Sequence, residues 1–209
     1  VRAWPVGELV EPSPCERGPL GELVEPSPCE RGPPGELVER VDERDRVLGV
    51  VDRDETIRNG RLHRIANTVC RDPHGRVLVH RRPEHVSRFP GHHDWLTGGA
   101  VEVGESYEEA AARELTEELG VRARVRFLFE FLCRGAISPY WLGVHEAVVT
   151  EPLTPDPSAI VWHGWFDQAE LREALRTRLF VPDGMEALRR HPGLTSPIAA
   201  TRQRTPPLP

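Results

Sequence analysis

No apolar run in this 209-residue chain approaches the ~20 residues needed to cross a bilayer, and its N-terminus carries no signal-peptide-like apolar stretch. A spanning or exported protein is therefore not expected, and the cytoplasm is the expected compartment. Positive charge is not in excess either: 27 Lys and Arg against 33 Asp and Glu leave a formal charge of −6. That argues against generic attraction to nucleic acid or anionic membranes, although a local basic groove is compatible with it. Cysteine is scarce. Cys15, Cys29, Cys70 and Cys133 form no C-x-x-C, which disfavours both a zinc site and a dithiol redox motif. Cys70 and Cys133 fall in strand-like stretches and read as small core residues in a reducing compartment.

What is present suits a soluble domain with excess solvated length: 38% hydrophobic residues and a mean hydropathy of −0.45. Much of that excess lies at the start. GELVEPSPCERGPL from Gly7 is followed by GELVEPSPCERGPP from Gly21, and GELVER restarts at Gly35. A repeat of Pro, Glu and Ser with few large apolar side chains buries little core, and it matches no solenoid period. Residues 1–36 are expected to be a disordered repeat-containing extension, 37–191 the folded domain, and 192–209 a disordered tail rich in Pro, Thr and Arg.

Within the domain, Val38, Val41, Val47, Leu48, Val50 and Val51 flank a polar Asp42–Arg46 turn and predict two short strands. Leu62 to Cys70 predicts a strand, Asp72-Pro73-His74-Gly75 a turn, and Arg76 to Arg82 its hairpin partner. Alternation there puts Val77 and Val79 on one face, Leu78 and His80 on the other. Pro83 to Gly91 is loop-like and is followed by His92-His93-Asp94-Trp95. Ala123–Cys133, Tyr140–Val149 and Ile160–Phe166 predict further strands, and Gln168–Leu175 and Asp183–Arg190 helices. Strands in runs with helices inserted late indicate an α/β protein with a mixed sheet covered by helices.

The chemistry concentrates in Gly99 to Val121, GAVEVGESYEEAAARELTEELGV. Apolar–polar alternation through Val103 predicts a strand running into a loop. Ser106 with Glu109 three residues on is a capping-box signature, and Gly120 is a helix stop. At 100° per residue Ala111, Ala112, Leu115 and Leu119 form an apolar stripe. Glu114, Glu117 and Glu118 gather on a neighbouring arc, where like charges at i,i+3 and i,i+4 repel by a few tenths of a kcal/mol per pair. An acidic solvated face is one reading. A hard cation offsetting the repulsion is the other.

The full spacing is Gly99, five residues, Glu105, seven residues, then Arg113-Glu114-Leu115-Thr116-Glu117-Glu118-Leu119-Gly120-Val121. It resembles the Nudix box, the signature of hydrolases acting on a nucleoside diphosphate linked to another moiety. The resemblance covers roughly residues 37–191 and implies an α/β/α sandwich. It also implies that Glu114, Glu117 and Glu118 are metal ligands for Mg2+, with Mn2+ as the alternative, and that Glu105 and Arg113 support them. Val41-Asp42-Glu43, Leu62-His63-Arg64, Leu78 to Arg82, Pro90-Gly91 and Asp94-Trp95 are similar to the isopentenyl-diphosphate isomerase-like branch, which includes hydrolases of the YfcD type.

Two residues separate those activities. Where the isomerase needs a cysteine and a metal-binding histidine, this chain has Gly98 and Ala100, and the later half of the box is complete. Hydrolysis of a diphosphate linkage in nucleoside di- or triphosphates or related nucleotide derivatives, by water attack on phosphorus, is therefore expected; the partner is a small molecule. Isomerisation and a non-catalytic nucleotide-binding module are the alternatives. The base that takes the water proton is open among Glu117 and Glu118, with Glu146 and His145 as outside candidates. Arg81, Arg82 and Arg88 flank the loop before the box and are candidates to grip phosphate as bidentate donors. His63 reads as structural, and His92-His93 as a loop feature. Trp141, Trp162, Trp165, Phe127 and Phe129 can stack a base but are more in keeping with core.

Overall fold

The computed structural model describes residues 35–195, so the repeat up to residue 34 and the tail from 196 lie outside it. Two short strands, β1 (Leu37–Val41) and β2 (Val47–Asp52), pair antiparallel around the Asp42–Arg46 turn. A six-residue helix with little local signal in the sequence, α1 (Arg53–Arg58), follows at once. Asp52 caps it by accepting the Glu55 N–H at 2.9 Å.

The main sheet is built on β3 (Arg64–Arg71). It pairs antiparallel with β6 (Thr97–Ala100), parallel with β8 (Tyr140–Val148), and meets β4 (Val77–Arg81) at Arg71↔Val77. Next, β4 pairs with the two-residue β5 (His93–Asp94) and with β9 (Trp162–Phe166), while β8 carries β7 (Val125–Cys133) antiparallel on its far edge. The sheet is mixed, as expected. Helix α2 (Tyr107–Leu119) lies on one face; α3 (Gln168–Thr177) and α4 (Pro182–Arg190) are on the other.

Each face of β4 therefore buries apolar side chains. Val77 and Val79 join Val69, Trp95, Phe131, Leu142, Leu171 and Ala187 in one core cluster, and Leu78 joins Cys70, Leu115, Leu119 and Val121 in another. The α/β/α sandwich is the outcome. Among the described residues no helix is long and apolar enough to cross a membrane.

Packed structure continues past 191, where the sequence places the end of the domain. Pro192–Thr195 form a 3-10 turn, and Leu194 packs into the first core cluster. The tie is polar as well as apolar: Arg71 donates to the Leu194 carbonyl and, through Nε, to Glu146 at 2.7 Å. Arg126 meets the second Glu146 oxygen. The Arg71 and Glu146 side chains are 3% and 8% exposed, so loss of Arg71 would leave a buried carboxylate with the exposed Arg126 as its remaining counter-charge. Arg71→Ala should therefore lower the unfolding free energy by about 3 kcal/mol, the low end for a broken buried pair, measured by urea denaturation.

Candidate active-site cleft

Helix α2 is set by its two ends. Ser106 accepts the Glu109 N–H while the Glu109 carboxylate accepts the Ser106 N–H at 2.8 Å, closing the capping box. Gly120 ends the helix at φ +68°, in the left-handed region that favours glycine. The buried stripe is Ala110, Ala111, Leu115 and Leu119. Ala110 stands in it in place of the expected Ala112, which is half-buried.

That packing lays Glu114 over β6. A Cβ built on Gly99 would stand 2.4 Å from a Glu114 oxygen, so the glycine is the space the carboxylate occupies. Gly99→Ala should displace Glu114 and reduce any hydrolytic rate about 10²-fold with a small change in melting temperature; steady-state kinetics beside thermal melts would show it.

Arg113 is the hub of the first half of the site. Its Nε donates to Glu105 at 2.9 Å and Nη2 to the same carboxylate at 3.0 Å. Nη1 donates to Glu114 at 2.9 Å and Glu117 at 3.0 Å. Nη2 also reaches the Ala100 carbonyl at 2.9 Å, tying helix to strand. The bidentate fork explains why arginine rather than lysine stands here. It also holds Glu105 below the usual carboxylate range.

Glu114 and Glu118 differ from Glu117 in where they point. Both line a cleft of about 590 Å³, and Glu117 does not. Burial, with Glu114 and Asp94 nearby, pushes Glu118 up to about 8. Burial also raises Glu114, against the pull of Arg113. Asp94 lines the cleft too. It accepts the Trp95 and Leu96 N–H groups at 2.8 and 3.0 Å, yet burial pushes it up to about 7.

Of the three arginines named from sequence, Arg82 and Arg88 line the cleft and Arg81 does not. Arg81 is turned to the Gly91 carbonyl and Glu84 instead, since successive strand residues face opposite ways. Arg82 meets no carboxylate among the described residues; its Nε donates to the Arg88 carbonyl at 3.2 Å.

Both outside candidates for the base are elsewhere. Glu146 is locked between Arg71 and Arg126, and His145 is buried with its Nδ1 3.3 Å from the Asn67 carbonyl; neither lines the cleft. None of Trp141, Trp162, Trp165, Phe127 and Phe129 lines it either. Trp141 instead donates to the Asp42 carbonyl at 3.0 Å, and Phe129 stacks on His191.

Arg53, Asp94, His80 and Asp183 line the cleft without being marked as site residues by the sequence, and so does His63, which reads there as structural. No local pattern marks Arg53. Asp94 had only its place beside Trp95. His63 is 1% exposed and neither of its ring nitrogens makes a hydrogen bond of good geometry among the described residues.

Burial, followed by neighbouring arginines, pushes His63 down to about 4 and His80 down to about 3. A depressed folded pKa stabilises above the unfolded value near 6.5 and loses that contribution as pH falls toward the folded one. Between pH 6 and 4, wild type should therefore lose about 1.4 kcal/mol more per pH unit than His80→Asn, by urea denaturation at stepped pH.

No three Asp, Glu, His or Cys side chains among the described residues converge into a ready cation cage. The donor chemistry nonetheless fits a hard divalent ion. Glu114 and Glu118 are two half-buried carboxylates on adjacent turns of one helix, sharing a cleft, with Glu114 raising the cost of charging Glu118. Glu117 stands one turn from Arg113 and is engaged by it.

Residues 61–184 match the model of the NUDIX domain. An uncharacterized Nudix hydrolase of Streptomyces coelicolor is 43% identical over 72% of this chain and 84% of its own. A solved Deinococcus radiodurans structure superposes with a TM-score of 0.63 at 31% identity, covering 74% of this chain and 98% of that one. More distant are a prenyl-diphosphate phosphatase of Methanosarcina mazei, 29% identical over 65% of this chain and 82% of its own, and an isopentenyl-diphosphate isomerase of Nocardia farcinica, 34% identical over 66% and 82%. The chain belongs to the Nudix family, hydrolases of phosphoric anhydride bonds, which generally use divalent metal ions.

Within that family the isomerase chemistry lacks its residues here. Gly98 has φ +153°, and a Cβ on it would lie 2.0 Å from the Ala66 carbonyl oxygen, so a cysteine could enter only if the backbone moved. Ala100, at the histidine position, is 1% exposed and apolar.

Proposed function

We propose that this chain is a cytoplasmic, divalent-cation-dependent hydrolase that cleaves a diphosphate linkage by attack of water on phosphorus. The observation that carries the reading is the half-buried pair Glu114 and Glu118, set in one cleft with Arg82, whose guanidinium forms no ion pair with a carboxylate among the described residues. Glu114 and Glu118 would hold the ion, Mg2+ or alternatively Mn2+, and Glu117 could join them by leaving Arg113. When bound, such an ion supplies charge stabilisation to phosphate oxygens and makes water more acidic. Arg82 supplies a fixed positive charge to the phosphate, and Arg113 with Glu105 holds Glu114 in place through the Ala100 tie. The proton leaving the water goes to a carboxyl group that lines the cleft. Glu118 and Asp94 do; Glu117 does not.

The cleft walls bear on the substrate. Ile57, Ile65, Val86, Leu96 and Ile137 line them together with the aromatics Phe89 and Tyr140, while Trp141, Trp162, Trp165, Phe127 and Phe129 are elsewhere. Such walls favour a diphosphate carrying an apolar organic group, in keeping with the prenyl-diphosphate phosphatase among the relatives. Nucleoside di- and triphosphates, to which the box itself points, form the second arm of the test. A panel of prenyl diphosphates and nucleotides with Mg2+ or Mn2+, scored for phosphate and pyrophosphate release, should show turnover that Glu114→Gln abolishes. Inactivity on every diphosphate offered, or a Glu114→Gln variant as active as wild type, would overturn the reading.

A further inference from the structure

One wall of the cleft holds side chains that the chemistry above does not use. His63 lines it, buried, and neither ring nitrogen makes a hydrogen bond of good geometry among the described residues, the Arg61 carbonyl alone lying close enough to favour the protonated ring. Arg53, the first residue of α1, lines the same wall. Glu36 holds its Nη1, but its buried Nε has no partner among the described residues. Arg88, in the loop after β4, joins them, with one nitrogen 3.0 Å from Asp54. The charges of Arg53 and Arg88 both bear on His63, adding to burial in disfavouring its protonation.

A fold does not ordinarily bury an imidazole with neither nitrogen in a well-formed hydrogen bond beside two guanidinium groups. Each guanidinium has donors to spare, and an unpaired buried donor costs stability until an acceptor arrives. The acceptor that satisfies such a set is anionic and presents several oxygens. Arg53 acts on the charge of Glu114, while Arg82 acts on that of Glu118. Two arginines thus attend two neighbouring carboxylates within a single cleft.

We propose that Arg53, His63 and Arg88 form a second anion subsite, which takes one phosphate of a diphosphate while the other faces Arg82 and Glu118. The proposal rests on reading the cleft as a diphosphate site, and adds that both phosphates are held by side chains of this chain. A substrate with only one phosphate would leave one of the two subsites empty.

Binding without metal tests it. Pyrophosphate and, separately, inorganic phosphate are titrated calorimetrically into the chelator-treated full chain at neutral pH, with thermal melts of each variant alongside. Wild type should bind pyrophosphate more tightly than phosphate. Arg53→Gln should weaken pyrophosphate at least about tenfold and His63→Phe several-fold, with little effect of either on phosphate held at the Arg82 side. Glu36→Gln frees Arg53 of its ion pair and should leave pyrophosphate affinity equal or tighter. If Arg53→Gln fails to fold, His63→Phe alone decides.

The proposal is overturned if wild type does not bind pyrophosphate or binds it no better than phosphate. It is equally overturned if the folded variants bind as wild type does, or if Glu36→Gln loses as much affinity as Arg53→Gln, which would make Arg53 structural only. Arg53-dependent pyrophosphate binding in a chain that hydrolyses no diphosphate would sustain the subsite and sink the hydrolase reading.

Discussion

Glu118→Gln should lower hydrolysis by about 10³-fold or more, and in the absence of divalent metal it should melt at a higher temperature than wild type. The two effects have one cause. Glu118 lies in the cleft with Glu114 and Asp94, and burial with those like charges raises its pKa to about 8. A folded pKa above the unfolded one stabilises fully below the unfolded value and loses that contribution as pH rises through the folded value. Wild type without metal therefore grows less stable between about pH 4.5 and 8, whereas glutamine, which cannot ionise, does not. The melting difference should be largest above about pH 8 and absent below about pH 4.5. Divalent metal should reverse the order, stabilising wild type by its affinity for the folded state and leaving Glu118→Gln nearly unmoved. Differential scanning fluorimetry across pH, with chelator or Mg2+, reads all three.

Arg113→Ala should be the most damaging change to the site's frame, costing about 3 kcal/mol of stability and about 10²-fold in rate. Its guanidinium spans Glu105, Glu114 and Glu117 and anchors α2 to the Ala100 carbonyl on β6. Removing it takes away the one guanidinium that hydrogen-bonds all three carboxylates and frees the helix from the strand. Arg113→Lys should recover little of either, because one ammonium cannot serve the bidentate Glu105 and the Ala100 carbonyl at once. Urea denaturation beside kinetics separates this from Glu118→Gln, which should lose rate without losing stability.

The contrast between these two residues marks how far sequence could reach. The box was legible because its parts are local. A capping box, an αL glycine and a helical arc of glutamates are all set within a few turns, and α2 forms over the segment they delimit. The paired strands around β4 were legible for a similar reason, since alternation of Val77, Leu78, Val79 and His80 assigns faces directly. Which glutamates enter the cleft was not legible. Glu114, Glu117 and Glu118 share an arc, and only the packing of α2 over Gly99 separates the inward pair from Glu117.

Distance along the chain hid the rest. Arg53 is brought to the cleft by a short helix whose single clear signal is the Asp52 cap, and Asp183 by the start of α4. His63 looked structural because a lone histidine makes no metal site, yet it lines the cleft with neither ring nitrogen in a well-formed hydrogen bond among the described residues. Arg81 and Arg82 looked equivalent in sequence, and strand alternation sends only Arg82 inward. Residues 192–195 read as the start of a polar tail, yet they pack for a tertiary reason: Arg71, far earlier in the chain, holds the Leu194 carbonyl.

Water attack on phosphorus at the Glu114–Glu118 cleft is tested most directly by turning over the best diphosphate of the panel in water enriched in heavy oxygen, under single-turnover conditions. The label should appear on a phosphoryl group, in the organic monophosphate or in the released phosphate or pyrophosphate according to which phosphorus is attacked. Release of an organic alcohol carrying the label would place the attack on carbon and contradict the account.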